Sequence, residues 1–298
     1  MTSRAELFRA LGSLCEPPGS ESVDLRVALG LSGELEEHDY TDAFIFQLYP
    51  YSSVYVGAEG MLGGEACDRV AGFWLALGLD PPAEPDHLAA LLGLYANLIE
   101  WELDEPDEAR RALRRQCRKA FLWEHLLSWV PVFADKVGAL ATSFFAGWAD
   151  LLLDALIDEA RIVGMQEILP LHLRSAPELP PPSDNPRLFL SGLLAPVCSG
   201  MVLTRTDLSR AARDLDLGLR VGERRFVLES FLAQEPHATM SWLTEEAYRS
   251  AERHASHAED LKDISSFWRG RAETAAAYLS EGLISSGEEV VDAARRAG

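Results

Sequence analysis

The chain of 298 residues is 48% hydrophobic and 25% charged, which provides apolar material for one large or two modest cores and argues against a disordered chain. Its 47 acidic side chains outnumber 27 basic ones, giving a formal net charge of −20 that disfavours partners held mainly through phosphates, so generic nucleic-acid binding is not expected. Residues 1–104 concentrate this field, with 18 acidic and four basic side chains, whereas residues 184–298 hold 18 and 14.

In chain order, the spacing predicts a first helix over 3–15, whose Arg4, Glu6 and Arg9 interrupt any secretory apolar core. A second helix is predicted over 34–48, running into the aromatic stretch Phe44-Ile-Phe-Gln-Leu-Tyr-Pro-Tyr-Ser-Ser-Val-Tyr55 and the loop Gly57-Ala-Glu-Gly60. That stretch can line a peptide groove, because tyrosine offers broad apolar contact with a polar tip. Spacing alone favours the other reading, with Phe44, Phe46 and Tyr55 in the core and Tyr51 a surface ring. Val70, Phe73, Trp74 and Leu77 recur at spacings of three and four, as do Leu88, Leu91, Leu92, Tyr95, Leu98 and Ile99, so each set predicts one buried helical stripe.

Between these helices lies Pro81-Pro-Ala-Glu-Pro-Asp-His87, a stiff loop carrying two acids and an imidazole. Asp86 is placed to cap the Leu88 helix. Glu84 and His87 beside it are not explained by capping, and paired carboxylates at a groove mouth can grip a guanidinium. Glu84-x-x-His87 also has the spacing used in di-iron bundles, but no second such pair exists, so no metal is assigned.

Further helices are predicted over 107–135, 137–163, 187–199, 206–215, 222–233, 238–254 and 257–281. With almost no alternating strand pattern, the fold class is all-α. The longest apolar uncharged run, Val137 to Ala149, is too short to span a bilayer, which predicts a cytoplasmic protein with no membrane insertion. The proline-rich segment 176–186 reads as a linker between a first domain, 1–175, and a C-terminal helical domain, 187–298. Such a linker would permit a homodimer by domain exchange.

In the C-terminal part, His254-x-x-His257 is expected on a solvated helix face rather than as a metal ligand pair. Leu203–Gly218 followed by Glu223-Arg-Arg-Phe226 has the outline of a helix-turn-helix, with Arg224 and Arg225 opening the second helix. A transcriptional regulator with an acidic sensing domain is therefore the alternative, although residues 205–225 hold a net charge of only +2. The cysteines Cys15, Cys67, Cys117 and Cys198 form no CxxC pair and read as reduced core thiols. No GxSxG elbow, phosphate-cradling glycine loop or HExxH is present, so no catalytic residue, metal or cofactor is assigned and enzyme activity is not expected.

Taken together, Phe44-Ile-Phe, Pro50-Tyr-Ser-Ser-Val-Tyr55, a helix ending Gly78-Leu79 and Glu84-Pro-Asp-His-Leu88 resemble the TorD/DmsD/NarJ family. Glu124-His-Leu-Leu-Ser-Trp129 with Phe133 extends the likeness, which covers roughly residues 40–135. These are cytoplasmic chaperones for molybdenum-cofactor oxidoreductases. The resemblance implies an all-helical protein that binds the twin-arginine signal peptide of an enzyme precursor and protects the apoenzyme before export. Carried onto this chain, it implies leader-binding roles for Glu84, Asp86 and His87 in the hinge loop, and for Phe44, Phe46, Tyr51, Ser53 and Tyr55 in the aromatic segment. The chain departs from the pattern in its residues beyond the linker and in a shorter stretch between Phe46 and Pro50.

Overall fold

A computed structural model describes the backbone of residues 4–296 and the side chains of residues 4–282. The described residues are helical with no β-strand, and the only extended pairing among them is an isolated antiparallel bridge between Tyr51 and His87. The all-α expectation holds. The chain divides into two compact units, Met1–Gly57 with Met61–Ser175, and Ala58–Gly60 with Ala176–Gly298.

The first unit is built on α1 (Arg4–Ser13), α2 (Gly64–Ala76), α3 (Leu88–Leu103), α4 (Glu108–Phe121), α5 (Val130–Leu140) and α6 (Ser143–Val163). Helix α3 is its axis: Leu88, Leu91, Leu92, Tyr95, Leu98 and Ile99 are all buried, as their spacing predicts. α1 packs along one side of α3, and α4 along another. The α2 stripe is only partly realised, since Val70 is buried while Phe73, Trp74 and Leu77 are half-buried.

Two π-helical turns shape this unit, Thr41–Gln47 and Leu122–Leu126, each closed by a bond to the fifth preceding carbonyl, Leu48 N–H to Ala43 O and Leu127 N–H to Leu122 O. The second turn breaks what spacing predicts as one helix over 107–135. α5 then starts at Val130 with Pro131 in its first turn, the one part of a helix where a missing N–H costs nothing. It runs on to Leu140, and a second interruption follows at Ala141–Thr142, where the backbone becomes extended.

The second unit contains α7 (Arg205–Asp214), α8 (Arg224–Gln234), α9 (Pro236–Ser256) and α10 (Asp263–Arg296), with α9 and α10 packed along each other. Its core gathers Phe189, Leu193, Leu208, Phe231, Leu243, Ala275 and Leu279. Leu179, from the proline-rich segment, is buried in this core, and Arg271 donates to the carbonyls of Ala176 and Pro177 at 2.9 Å each. The segment 176–186 is thus packed in the second unit for part of its length. Gly200 has a φ of +69°, and a side chain there would collide with the α10 backbone at Trp268 and Ala272.

Candidate functional site

The hinge loop is held to the aromatic segment by backbone pairing. Ser52 N–H donates to Asp86 O at 3.0 Å and Leu88 N–H to Pro50 O at 2.8 Å. Asp86 is 3% exposed, and its Oδ2 accepts the Ser53 N–H at 3.0 Å. This carboxylate satisfies a free donor at the start of the short helix Ser52–Val56, not of α3. The capping expectation needs correction: His87 occupies the α3 cap, its Nδ1 accepting the Ala89 N–H at 3.1 Å. Burial, with the Asp86 carboxylate next in effect, pushes the Cys67 thiol up to about 11.

Asp86 therefore acts through architecture. Asp86→Ala orphans the buried Ser53 N–H and removes a charge-assisted bond, so it should cost about 1.5–3 kcal/mol of first-unit stability, read by urea denaturation. A change within about 0.5 kcal/mol would show that the bond carries no weight.

Phe44, Ser53 and Tyr55 are also interior. Phe44 sits among Phe133, Phe145 and Trp148 with ring centroids 4.8–5.9 Å away, and Tyr55 stacks on Trp129 at 5.1 Å. Ser53 Oγ accepts the Gly63 N–H at 3.1 Å. Phe46 is the exception, 56% exposed on the first π-helical turn, with Ile45 and Tyr49 exposed near it in sequence.

Glu84, His87 and Tyr51 line a cleft of about 680 Å³. Its floor is made of small residues, Gly12 on α1 and Ala89, Ala90 and Gly93 on α3, where the helices approach so closely that a Cβ on Gly12 would lie 3.4 Å from Ala89. Its lining also includes the exposed Glu16, Glu84 and Arg9, the half-buried Tyr51 and His87, and the buried Tyr40. The Tyr51 hydroxyl donates to Glu84 Oε2 at 2.8 Å, and the Tyr51 ring meets His87 edge-on at 4.7 Å. Burial, then the bond to Glu84, raises the Tyr51 hydroxyl above its usual range. Burial lowers His87, against an opposing pull from Glu84, Glu16 and Asp86, and its Nδ1 is committed as an acceptor. The cleft thus presents carboxylates, a phenol and a neutral imidazole above an apolar floor, a chemistry suited to a cationic, partly apolar guest.

Arg9, Glu16 and Tyr40 escape the sequence reading because they join the loop only through tertiary packing. The one signal available was Gly12 facing the small residues Ala89, Ala90 and Gly93.

Elsewhere in the first unit, Glu124, His125 and His172 cluster with Arg69 around Ser52, Ser128 and Trp129. Burial first, and then the Arg69 charge, pull His125 and His172 down to about 3. Gln166 Nε2 donates to Glu124 Oε1 at 3.2 Å.

In the second unit, α7 and α8 are joined by residues 215–223, longer than the roughly three- to four-residue turn of a helix-turn-helix. Arg224 donates to Leu203 O at 2.6 Å, and Arg225 lies 3.6 Å from Glu229. His254 is buried rather than solvated, its Nε2 2.8 Å from Gly200 O. Among the described residues, no group of three or more His, Cys, Asp and Glu is arranged to hold a metal. Cys15 and Cys198 are buried, whereas Cys67 and Cys117 are only half-buried, and all four are free. No helix among the described residues is long and apolar enough to cross a membrane.

Comparison with known proteins adds the family. The nitrate reductase delta subunit family matches residues 30–135, which include the π-helical turn, the hinge loop and α3. A chaperone protein TorD of Photobacterium profundum is 33% identical over 94 residues, 30% of this chain and 44% of that protein. A chaperone protein TorD of Vibrio vulnificus is 31% identical over 140 residues, 42% of this chain and 63% of that protein. The chain thus spans less than two thirds of the length of these relatives. A Ralstonia pickettii protein named N-(5′-phosphoribosyl)anthranilate isomerase is 29% identical over 197 residues, 63% of this chain and 76% of that protein. The matched region, the ordered hinge and aromatic motifs and the all-helical fold agree in likening the first unit to the TorD/NarJ-type chaperones.

Proposed function

We propose that this chain is a maturation chaperone for a molybdenum-cofactor oxidoreductase subunit, and that it binds the arginine-bearing signal peptide of the precursor in the cytoplasm before export. The observation that carries the reading is the cleft, where Glu84, steadied by Tyr51, and Glu16 stand over the small-residue floor between α1 and α3. Carboxylates of this kind attract and orient a guanidinium, while apolar contacts along the floor supply most of the affinity. The names of the TorD relatives support a chaperone role. A phosphoribosyl substrate of the kind in the Ralstonia protein's name fits less well. Glu16 and Glu84 repel a phosphate, and Arg9, the one cation lining the cleft, is engaged by Glu100. The reading assigns no catalytic residue and no cofactor.

The test is a calorimetric titration with a synthetic twin-arginine leader peptide. Binding should weaken as salt rises, and Glu84→Gln should weaken it about five- to tenfold with unchanged stability. The folded protein failing to bind such a leader at low salt would refute the proposal.

A further inference from the structure

The face of α3 that floors the cleft continues beyond it: Ala89, Ala90 and Gly93 are followed at helical spacing by Asn97 and Glu100. Arg9 reaches these two from α1. Its Nη1 donates to Glu100 Oε1 at 2.6 Å, and its Nη2 donates to Glu100 Oε2 at 2.5 Å and to Asn97 Oδ1 at 2.9 Å. The arrangement is a two-pronged carboxylate grip completed by an amide oxygen, the geometry by which such groups recognise a guanidinium from any source. The side chains of Arg9 and Glu100 are 40% and 42% exposed, so the contact is wet and readily exchanged. It contrasts with Arg118, which is sealed in the core between Glu102 and Glu159.

We propose that Glu100 and Asn97 form a second guanidinium receptor at the end of the cleft, which Arg9 fills in the free protein and an arginine of the bound peptide takes over. This rests on the leader-binding reading and adds a built-in competitor to it. A guest arginine offers Glu100 and Asn97 the same donors as Arg9 in the same half-exposed setting, so the exchange is close to neutral in energy, whereas a peptide with one arginine at Glu84 leaves Arg9 in place. The receptor offers a guest's second arginine a further contact, and Arg9 tempers the gain.

The experiment titrates a synthetic leader peptide containing an Arg-Arg pair into the full chain and its Glu84→Gln, Arg9→Gln and Arg9→Gln/Glu100→Gln variants, each checked for an unchanged melting temperature. Removing the competitor should tighten binding about three- to fivefold in Arg9→Gln, and adding Glu100→Gln should abolish that gain. A peptide with its second arginine replaced by glutamine should show neither effect. If the wild type binds and Glu84→Gln weakens binding, but Arg9→Gln leaves affinity unchanged or lowers it, the receptor at Glu100 is overturned and the leader reading stands. If no form binds the peptide, the leader reading falls and takes this inference with it.

Discussion

Arg118→Met should destabilise the first unit by about 3–5 kcal/mol, the cost typical of removing one partner from a buried ion pair. Arg118 is 2% exposed, with Nε 2.9 Å from Glu102 Oε2 and Nη1 3.1 Å from Glu159 Oε2. Glu159, also 2% exposed at its side chain, accepts the Tyr95 hydroxyl at 2.7 Å and meets Arg4 at 3.0 Å. The Arg4 side chain is 42% exposed and contributes little alone. Methionine nearly fills the vacated space, so the loss measures stranded carboxylates more than a cavity. Adding Glu102→Gln and Glu159→Gln should therefore restore most of the stability. Urea denaturation of the single and triple variants decides the matter, and a loss under about 1 kcal/mol in Arg118→Met would show that the network is not a stabilising centre.

Acidification is the second large effect. His125 and His172 lie at about 3 in the folded chain, against an ordinary 6.5, because burial and then Arg69 disfavour their charged forms. Between those values the unfolded chain binds protons that the folded chain refuses, so stability falls as pH drops below 6.5 and is level above about 7. From pH 7 to 5 the two groups together should cost about 4 kcal/mol, at roughly 1.4 kcal/mol per pH unit per histidine once below 6.5. Equilibrium denaturation at several pH values would show this slope, and His125→Gln and His172→Gln should each remove about half of it. An unchanged slope in the double variant would assign the acid sensitivity to other groups.

The all-helical class and the α3 stripe were legible because a buried helix must repeat its apolar residues at helical spacing, whatever it packs against. The π-helical turn at Leu122–Leu126 was not, since an inserted residue shifts hydrogen bonds without breaking the apolar run Phe121-Leu-Trp123. At the cleft, Glu84, His87 and Tyr51 were readable as a loop rich in polar tips beside proline. The role of Asp86 was not, because its partner, the Ser53 amide, lies 33 residues away. Phe44 and Tyr55 show the same limit from the other side: an aromatic cluster looks alike in sequence whether it faces a groove or a core, and here Trp148 and Trp129 claim those rings.

The stitching of the hinge loop to residues 50–53 links the cleft lining to the interior of the first unit. Glu84 is tied to Tyr51, Tyr51 pairs with His87, and the helix that begins one residue later carries Tyr55 onto Trp129. From the exposed Glu84 carboxylate to the buried Trp129 indole there is thus only one hydrogen bond, one short helix and one ring stack.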